Sequence, residues 1–466
     1  MASIGEKRNF DSVWAKIAPG LEEANPFHSN LVIDEPTTFY VETTGNDLNP
    51  GTQERPFQTI QAAINYVSQF ALANIVKIKV GLGNFGGYVV DGGHFTPRAN
   101  CQLVIEGTLV STGISGTGTI SLADNTVLTD ATKSWTTNEH VGKQVRWSSD
   151  GGATWLYYPI SENTATTLTV PTNLGSGTWT YEILDYGTII DTATSWLPTI
   201  YGAGDAPQAS SGSTCMGFTG LWTGQITANQ VLNRFFKVNA PANSNAASVR
   251  SNSYVSFIAC HFDRTASSAT LVNLIGGALL LASCYLSTGI ASSSCLTVSG
   301  THVPTYLSVG TSVLSSSSTT STFGVSASSG IVSVTGIIKG FGTGINIGTS
   351  ATSVNATVKS CTTGIAVSSG GRFNLSACKL SSNTTCLSVS DNGEAYIAST
   401  STWSASTTGI SVTTGGRCKV VSTLSMSTVT NELSVDGATA TLATMRAASP
   451  KTHPTTANIY GSLAYE

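Results

Sequence analysis

At 466 residues, with 10% charged, 40% apolar and a formal net charge of −4, the chain is long enough for several domains or one elongated solenoid, and too apolar to be disordered. No stretch approaches about 18 uninterrupted apolar residues, so a transmembrane helix is not expected and no membrane insertion is implied. The absence of any basic patch argues against nucleic acid as a partner.

The opening MASIGEKRNF lacks the basic-then-apolar layout of a secretory signal, so the chain is expected to be made in a cytoplasm. Residues 1–38 form the first unit. Within it Phe10, Val13, Trp14 and Ile17 make one apolar helical stripe, which Pro19-Gly20 stops. So short a helix cannot stand alone in water, which makes it an attachment segment, packing on sister chains or docking into another protein.

Residues 39–106 come next. A strand leads through a turn-rich loop to Phe57, Ile60, Ala63, Ile64 and Val67, the stripe of an amphipathic helix. Val76, Ile78 and Val80 then alternate as a strand. An open solenoid end exposes unpaired backbone and apolar side chains, and this helix is suited to cover one. Residues 107–182 are richer in Trp, Tyr and charge. Short strands with a hairpin signal at Asp150-Gly151-Gly152 predict an inserted antiparallel β module. From about 183 to 445 the texture becomes short strands and Ser/Thr/Gly turns, and 446–466 is a C-terminal tail.

The late coils repeat themselves. TTGIAVSSGGRFNLSACKLSSN (362–383) and the two lines after it align Ile365, Leu387 and Ile410, and likewise Val367, Val389 and Val412, with Leu433 and Val435 opening a fourth copy. The period is about 22 residues, the mark of stacked coils. Within each coil Phe373 and Leu375, then Cys378 and Leu380, alternate as strands do, and Gly370-Gly371, Asn392-Gly393 and Gly415-Gly416 supply corners. YVSFIACHF (254–262) and ALLLASCYL (278–286) place Cys260 and Cys284 where Cys378 sits. The architecture that fits is an all-β parallel β-helix with a capping helix. Nine Cys, with no metal-ligand spacing among them, behave as small buried hydrophobes; no metal and no cofactor are implied.

YVETTGNDLNPGTQERPFQTIQAAI resembles the opening of the pectate-lyase-like right-handed β-helix proteins, phage tailspikes above all. SWTTNEHVGKQV and ISENTATTLTV are similar to β modules of phage virion proteins, and the TTGIAVSSGG-type coils to late tailspike coils. The resemblance implies a right-handed β-helix in a homotrimer, tied through its N-terminal segment to a phage tail or adaptor protein. It further implies a place in the virion and a host surface polysaccharide as ligand. Many such spikes are glycosidases, lyases or esterases, and some are not enzymes.

Glycoside hydrolysis needs two carboxylates roughly 5 to 9.5 Å apart. Between Asp263 and Asp391 the sequence has no Asp or Glu, and Lys339, Lys359, Arg372 and Lys379 stand isolated there. Candidate acids lie earlier. Asp185, Asp191 and Asp205 accompany Trp196 and Tyr201 in EILDYGTIIDTATSWLPTIYGAGD, a mixture suited to gripping and cleaving sugar, or to turns with aromatic packing. In ACHFDRT alternation sends His261 and Asp263 outward, as a His–carboxylate base or as a solvated pair. Trp222 in GLWTG would stack on a sugar ring or fill a coil corner. The missing acids favour a receptor-binding spike that holds a glycan. A non-receptor decoration or fibre protein, and a polysaccharide depolymerase, are the alternatives.

Overall fold

The computed structural model describes residues 32–91, 96–97, 101–192, 214–219, 231–241, 244–250, 253–264, 270–289, 293–300, 305–320, 322–348, 351–397, 401–420, 424–436, 439–442, 445–447 and 463–465. They form a three-faced parallel β-helix of about twelve coils. The first face runs from Thr37–Val41 and Ile75–Val80 to Thr439–Leu442 and Leu463–Tyr465. The second runs from Gly83–Gly86 to Met445–Ala447, and the third from Tyr88–Asp91 to Asn431–Asp436. Two long strands, Thr305–Ser316 and Ile331–Lys339, pass through the corner between the first two faces and join them into one sheet.

Register explains the repeat. On the third face Ile345, Ile365, Leu387, Ile410 and Leu433 pair in succession, as do Ile347, Val367, Val389, Val412 and Val435. Burying the aliphatic side chains of these columns from Ile345 to Ile410 and from Ile347 to Val412 stabilises the stack by roughly 1.5–3 kcal/mol each. Cys260, Cys284 and Cys378 share one corner column. The residues that follow them, His261, Tyr285 and Lys379, belong to one continuous register through Val313, Ile337 and Thr357. All nine cysteines are buried and free.

The capping helix is Ile60–Val67, with Ile60, Ala63, Ile64 and Val67 turned to the core. Phe57 lies before it and bridges to Val41 instead of continuing the helical stripe. The reason is capping. Thr59 is the N-cap, its hydroxyl accepting from the Ala62 N–H at 3.2 Å, and Asp47 Oδ1 accepts from the Gln58 and Thr59 N–H groups at 2.9 and 2.8 Å.

The chain leaves the solenoid after the first-face strand Gln102–Glu106 and re-enters at the second-face strand Thr188–Thr192. Between them lies a seven-stranded antiparallel sheet. Its long strands Leu109–Ile120 and Gly177–Tyr186 pair with each other, and Gln144–Ser148 pairs with Leu156–Pro159 across the Asp150-Gly151-Gly152 hairpin. This module has a core of its own, including Leu128, Val145, Trp147, Tyr181 and Ile183.

Candidate functional site

His261 and Asp263 lie in the second-face strand His261–Arg264 and point away from the core, with Phe262 and Arg264 buried on the inner side. The outer side is not open to solvent. The inserted module folds back over it, and a seam forms between the two.

Inside that seam the His261 imidazole sits between two rings, Tyr186 at 5.8 Å and Tyr285 at 5.1 Å. Gly142 of the module comes so close that a Cβ there would stand 2.9 Å from His261 Cε1. His261 Nε2 is buried and has no hydrogen-bond partner among the described residues. Burial outweighs the neighbouring charges and lowers the imidazole pKa from 6.5 to about 4. Asp263 and Asp185 oppose that shift, and Lys237 adds to it. At neutral pH the ring is therefore uncharged.

His261 and Asp263 do not form a hydrogen-bonded base. The described contact of the Asp263 carboxylate is with Ser287 Oγ, which donates to it at 2.6 Å. Asp185 closes the module strand Gly177–Tyr186, half-buried, and its Oδ1 accepts from the Tyr186 N–H at 2.8 Å. Asp191 lies half-buried in the strand Thr188–Thr192. Asp205, Trp196, Tyr201 and Trp222 lie outside the described residues, as do Phe10, Val13, Trp14 and Ile17.

The solenoid stretch without acids does receive one, from the module. Glu162 Oε1 is 2.7 Å from Lys359 Nζ and 3.2 Å from Lys339 Nζ, and Lys339 also donates to the Ser161 carbonyl at 2.7 Å. Lys339 and Lys359, isolated in sequence, are direct neighbours in register. Burial raises the Glu162 pKa, but Lys359 and Lys339 outweigh it and hold the carboxyl below its usual value. Further along the seam Gln144 Nε2 donates to Tyr186 Oη at 2.8 Å and to the Ser283 carbonyl at 3.0 Å. Val141 packs against Tyr285, Val313 and Ile337. Glu162, Gln144, Tyr186 and Tyr285 were absent from the sequence-based candidates, because they meet only across long separations, 177 residues for Glu162 and Lys339.

Glu162 does not complete a hydrolytic pair with Asp263. The outward column runs Asp263, Ser287, Ser315, Lys339, so Glu162 engages a strand three coil spacings away. That is roughly 14 Å at the usual inter-strand spacing, beyond the range for either hydrolytic geometry.

No family model matches the chain, and no curated protein matches it. Among solved structures it is similar to a glycoside hydrolase, with 9% identity, a TM-score of 0.32, and coverage of 86% of this chain and 96% of that one. It is also similar to the tailspike protein gp49 from Pseudomonas phage LKA1, with 11% identity, a TM-score of 0.36, and coverage of 83% and 74%. A third is the gp54 tailspike of Acinetobacter baumannii bacteriophage AP22, in complex with A. baumannii capsular saccharide, with 10% identity, a TM-score of 0.21, and coverage of 81% and 67%. The chain is a parallel β-helix, and phage tailspikes are among the structures it is similar to. At these identities no residue correspondence follows.

Proposed function

We propose that the chain is a bacteriophage virion spike that binds a host surface polysaccharide without cleaving it. In this reading it is a homotrimer in the virion tail, attached to the tail or an adaptor protein through residues 1–38. The observation that carries the non-catalytic part is the closed seam. Along the seam, Asp263 is engaged by Ser287, and Glu162, contributed by the module, is held between two lysines. Asp263 and Glu162 lie about three coil spacings apart, too far for a cleaving pair. Ser326, Asn346, Ser388 and Ser411 of the outward third-face column, which Ala366 interrupts, support binding, since hydroxyl and amide groups meet sugar or water without charge. The test incubates the full chain with immobilised bacterial surface polysaccharides and sizes the glycan afterwards. The expected result is retention with no shortening over long incubation. Shortened chains would establish a depolymerase, and no retention on any glycan would favour a decoration protein.

A further inference from the structure

Three successive coils near the C-terminal end of the first face break the pattern of their neighbours. In one column of the register Ser308, Ser333 and Ser353 are followed by Asn374, Tyr396 and Lys419, of which the last three point outward. In the column beside it Arg372, Glu394 and Arg417 stack in register. The six side chains form a grid two columns wide and three coils tall, spanning roughly 10 Å along the stack.

The grid is open. The Arg372 and Arg417 side chains are 78% and 72% exposed, and each meets Glu394 only at 3.5 Å. With five N–H donors on each guanidinium, most remain free for a ligand. Tyr396 is 42% exposed. It and Tyr306, on the same face, are the aromatic members of the exposed large apolar side chains among the described residues. Three cations surround one carboxylate here, in a chain whose net charge is −4.

We propose that this grid binds an acidic polysaccharide, one carrying uronate or comparable carboxylate groups. The proposal deepens the glycan-binding reading above and rests on it. Arginine takes a carboxylate through two parallel N–H···O bonds, which an ammonium or a serine column cannot match. The Tyr396 ring offers an apolar face with a polar edge, as a pyranose ring requires. Asn374 and Glu394 lie within the same grid to bond sugar hydroxyls, and Lys419 supplies a second, less directional charge.

The experiment uses the full chain, with Tyr396→Ala and the double variant Arg372→Ala/Arg417→Ala. Circular dichroism verifies that each variant is folded. The probes are alginate, polygalacturonate and hyaluronan, each beside its carboxyl-reduced form. Expected is binding of wild type to at least one acidic chain, weakened about tenfold by carboxyl reduction and by the double arginine variant. Tyr396→Ala should weaken both forms. Equal binding of wild type and variants would overturn the grid while leaving glycan binding standing. Equal binding of acidic and reduced forms would overturn the acidic ligand. Binding to none of the probes would overturn this proposal, and retention on immobilised bacterial surface polysaccharides would then decide the broader reading separately. Loss of oligomeric state in the arginine variant, seen by light scattering, would make the patch an interface between copies and overturn the proposal.

Discussion

The second face beneath the inserted module and the first face near the C-terminal end have inner columns of the same kind, but their outer columns differ. Under the module the outward column reads His261, Tyr285, Val313, Ile337, and then turns to Thr357, Lys379, Thr402 and Ser425. Val313 is fully buried and Ile337 nearly so, whereas Lys379 and Thr402 are exposed. At the other region the outward residues are Arg372, Glu394, Tyr396 and Arg417. The inner columns hold the stack together at both places, so the outer columns decide what each face meets. An apolar outward run records a docked element, and a charged, aromatic one leaves a surface for something else.

The sharpest way to break that contrast is to put a charge into the covered column. Val313→Asp would bury an unpaired carboxylate against Tyr285, Ile337 and Val141. Burying an unpaired charge costs docking more than about 3 kcal/mol. The module keeps its own core, so it should detach while staying folded. Solvent labelling of the seam tyrosines Tyr186 and Tyr285, buried in the docked chain, would then rise, while hydrogen exchange in the third-face strands keeps wild-type protection. Unchanged labelling of the seam tyrosines would mean that the apolar column does not hold the module.

How legible all this was in sequence follows from distance along the chain. The column Ile365, Leu387, Ile410 was visible because each member recurs after 22 or 23 residues with Gly-rich corners between, and the structure pairs them in that register. Gly370 and Gly415 adopt φ of 76° and 74°, as such corners need. The corners before Cys260, Cys284 and Cys378 carry no glycine signal and show only as a break in alternation, because Ala259, Ser283 and Ala377 take φ of 51° to 56° without glycine. Strain of about 1 kcal/mol or more at each is offset by the stacking around it, which no local pattern records. The seam was equally hidden. Gln144 reaches Ser283 across 139 residues, and alternation correctly turned His261 outward without showing what covers it. Arg264, buried on the inward side, likewise departs from an apolar alternation.

The next effect in size concerns pH, and it separates the covered histidine from the open grid. The folded-state pKa of His261, about 4, lies below the usual 6.5, so the undocked or unfolded chain binds the proton more readily. The groups facing it are Asp263 on its own strand, Lys237 on the neighbouring coil, Asp185 from the module, and the rings of Tyr186 and Tyr285. Its contribution is fully present above about pH 6.5 and is lost as pH falls through about 4. At pH 5 the loss is about 2 kcal/mol. Glu162, held below its usual value by the lysines, gives up its own share only at lower pH. Urea unfolding between pH 7 and 4.5 should show a falling midpoint for the full chain and a flatter one for His261→Gln. Parallel curves would remove His261 from the seam's energetics.

The smallest effect comes from making one isosteric change in both regions. Glu162 and Glu394 each sit between two cations, so Glu162→Gln and Glu394→Gln remove the same charge from equivalent pairings. Their settings differ. The Lys339 and Lys359 side chains are 17% and 26% exposed, while those of Arg372 and Arg417 are 78% and 72% exposed. Partial burial limits screening, and losing Glu162 would leave two ammonium groups on adjacent coils without their shared carboxylate. The expected cost is about 1 kcal/mol. Solvent and salt already screen the arginine pair, so Glu394→Gln should change stability by only about 0.3 kcal/mol, and in 0.5 M salt (a Debye length of about 4 Å) by less. Urea titrations of the two variants at low and high salt measure both. Equal costs would mean that exposure does not set the worth of these pairs, and that the open grid holds the coils together as much as the seam does.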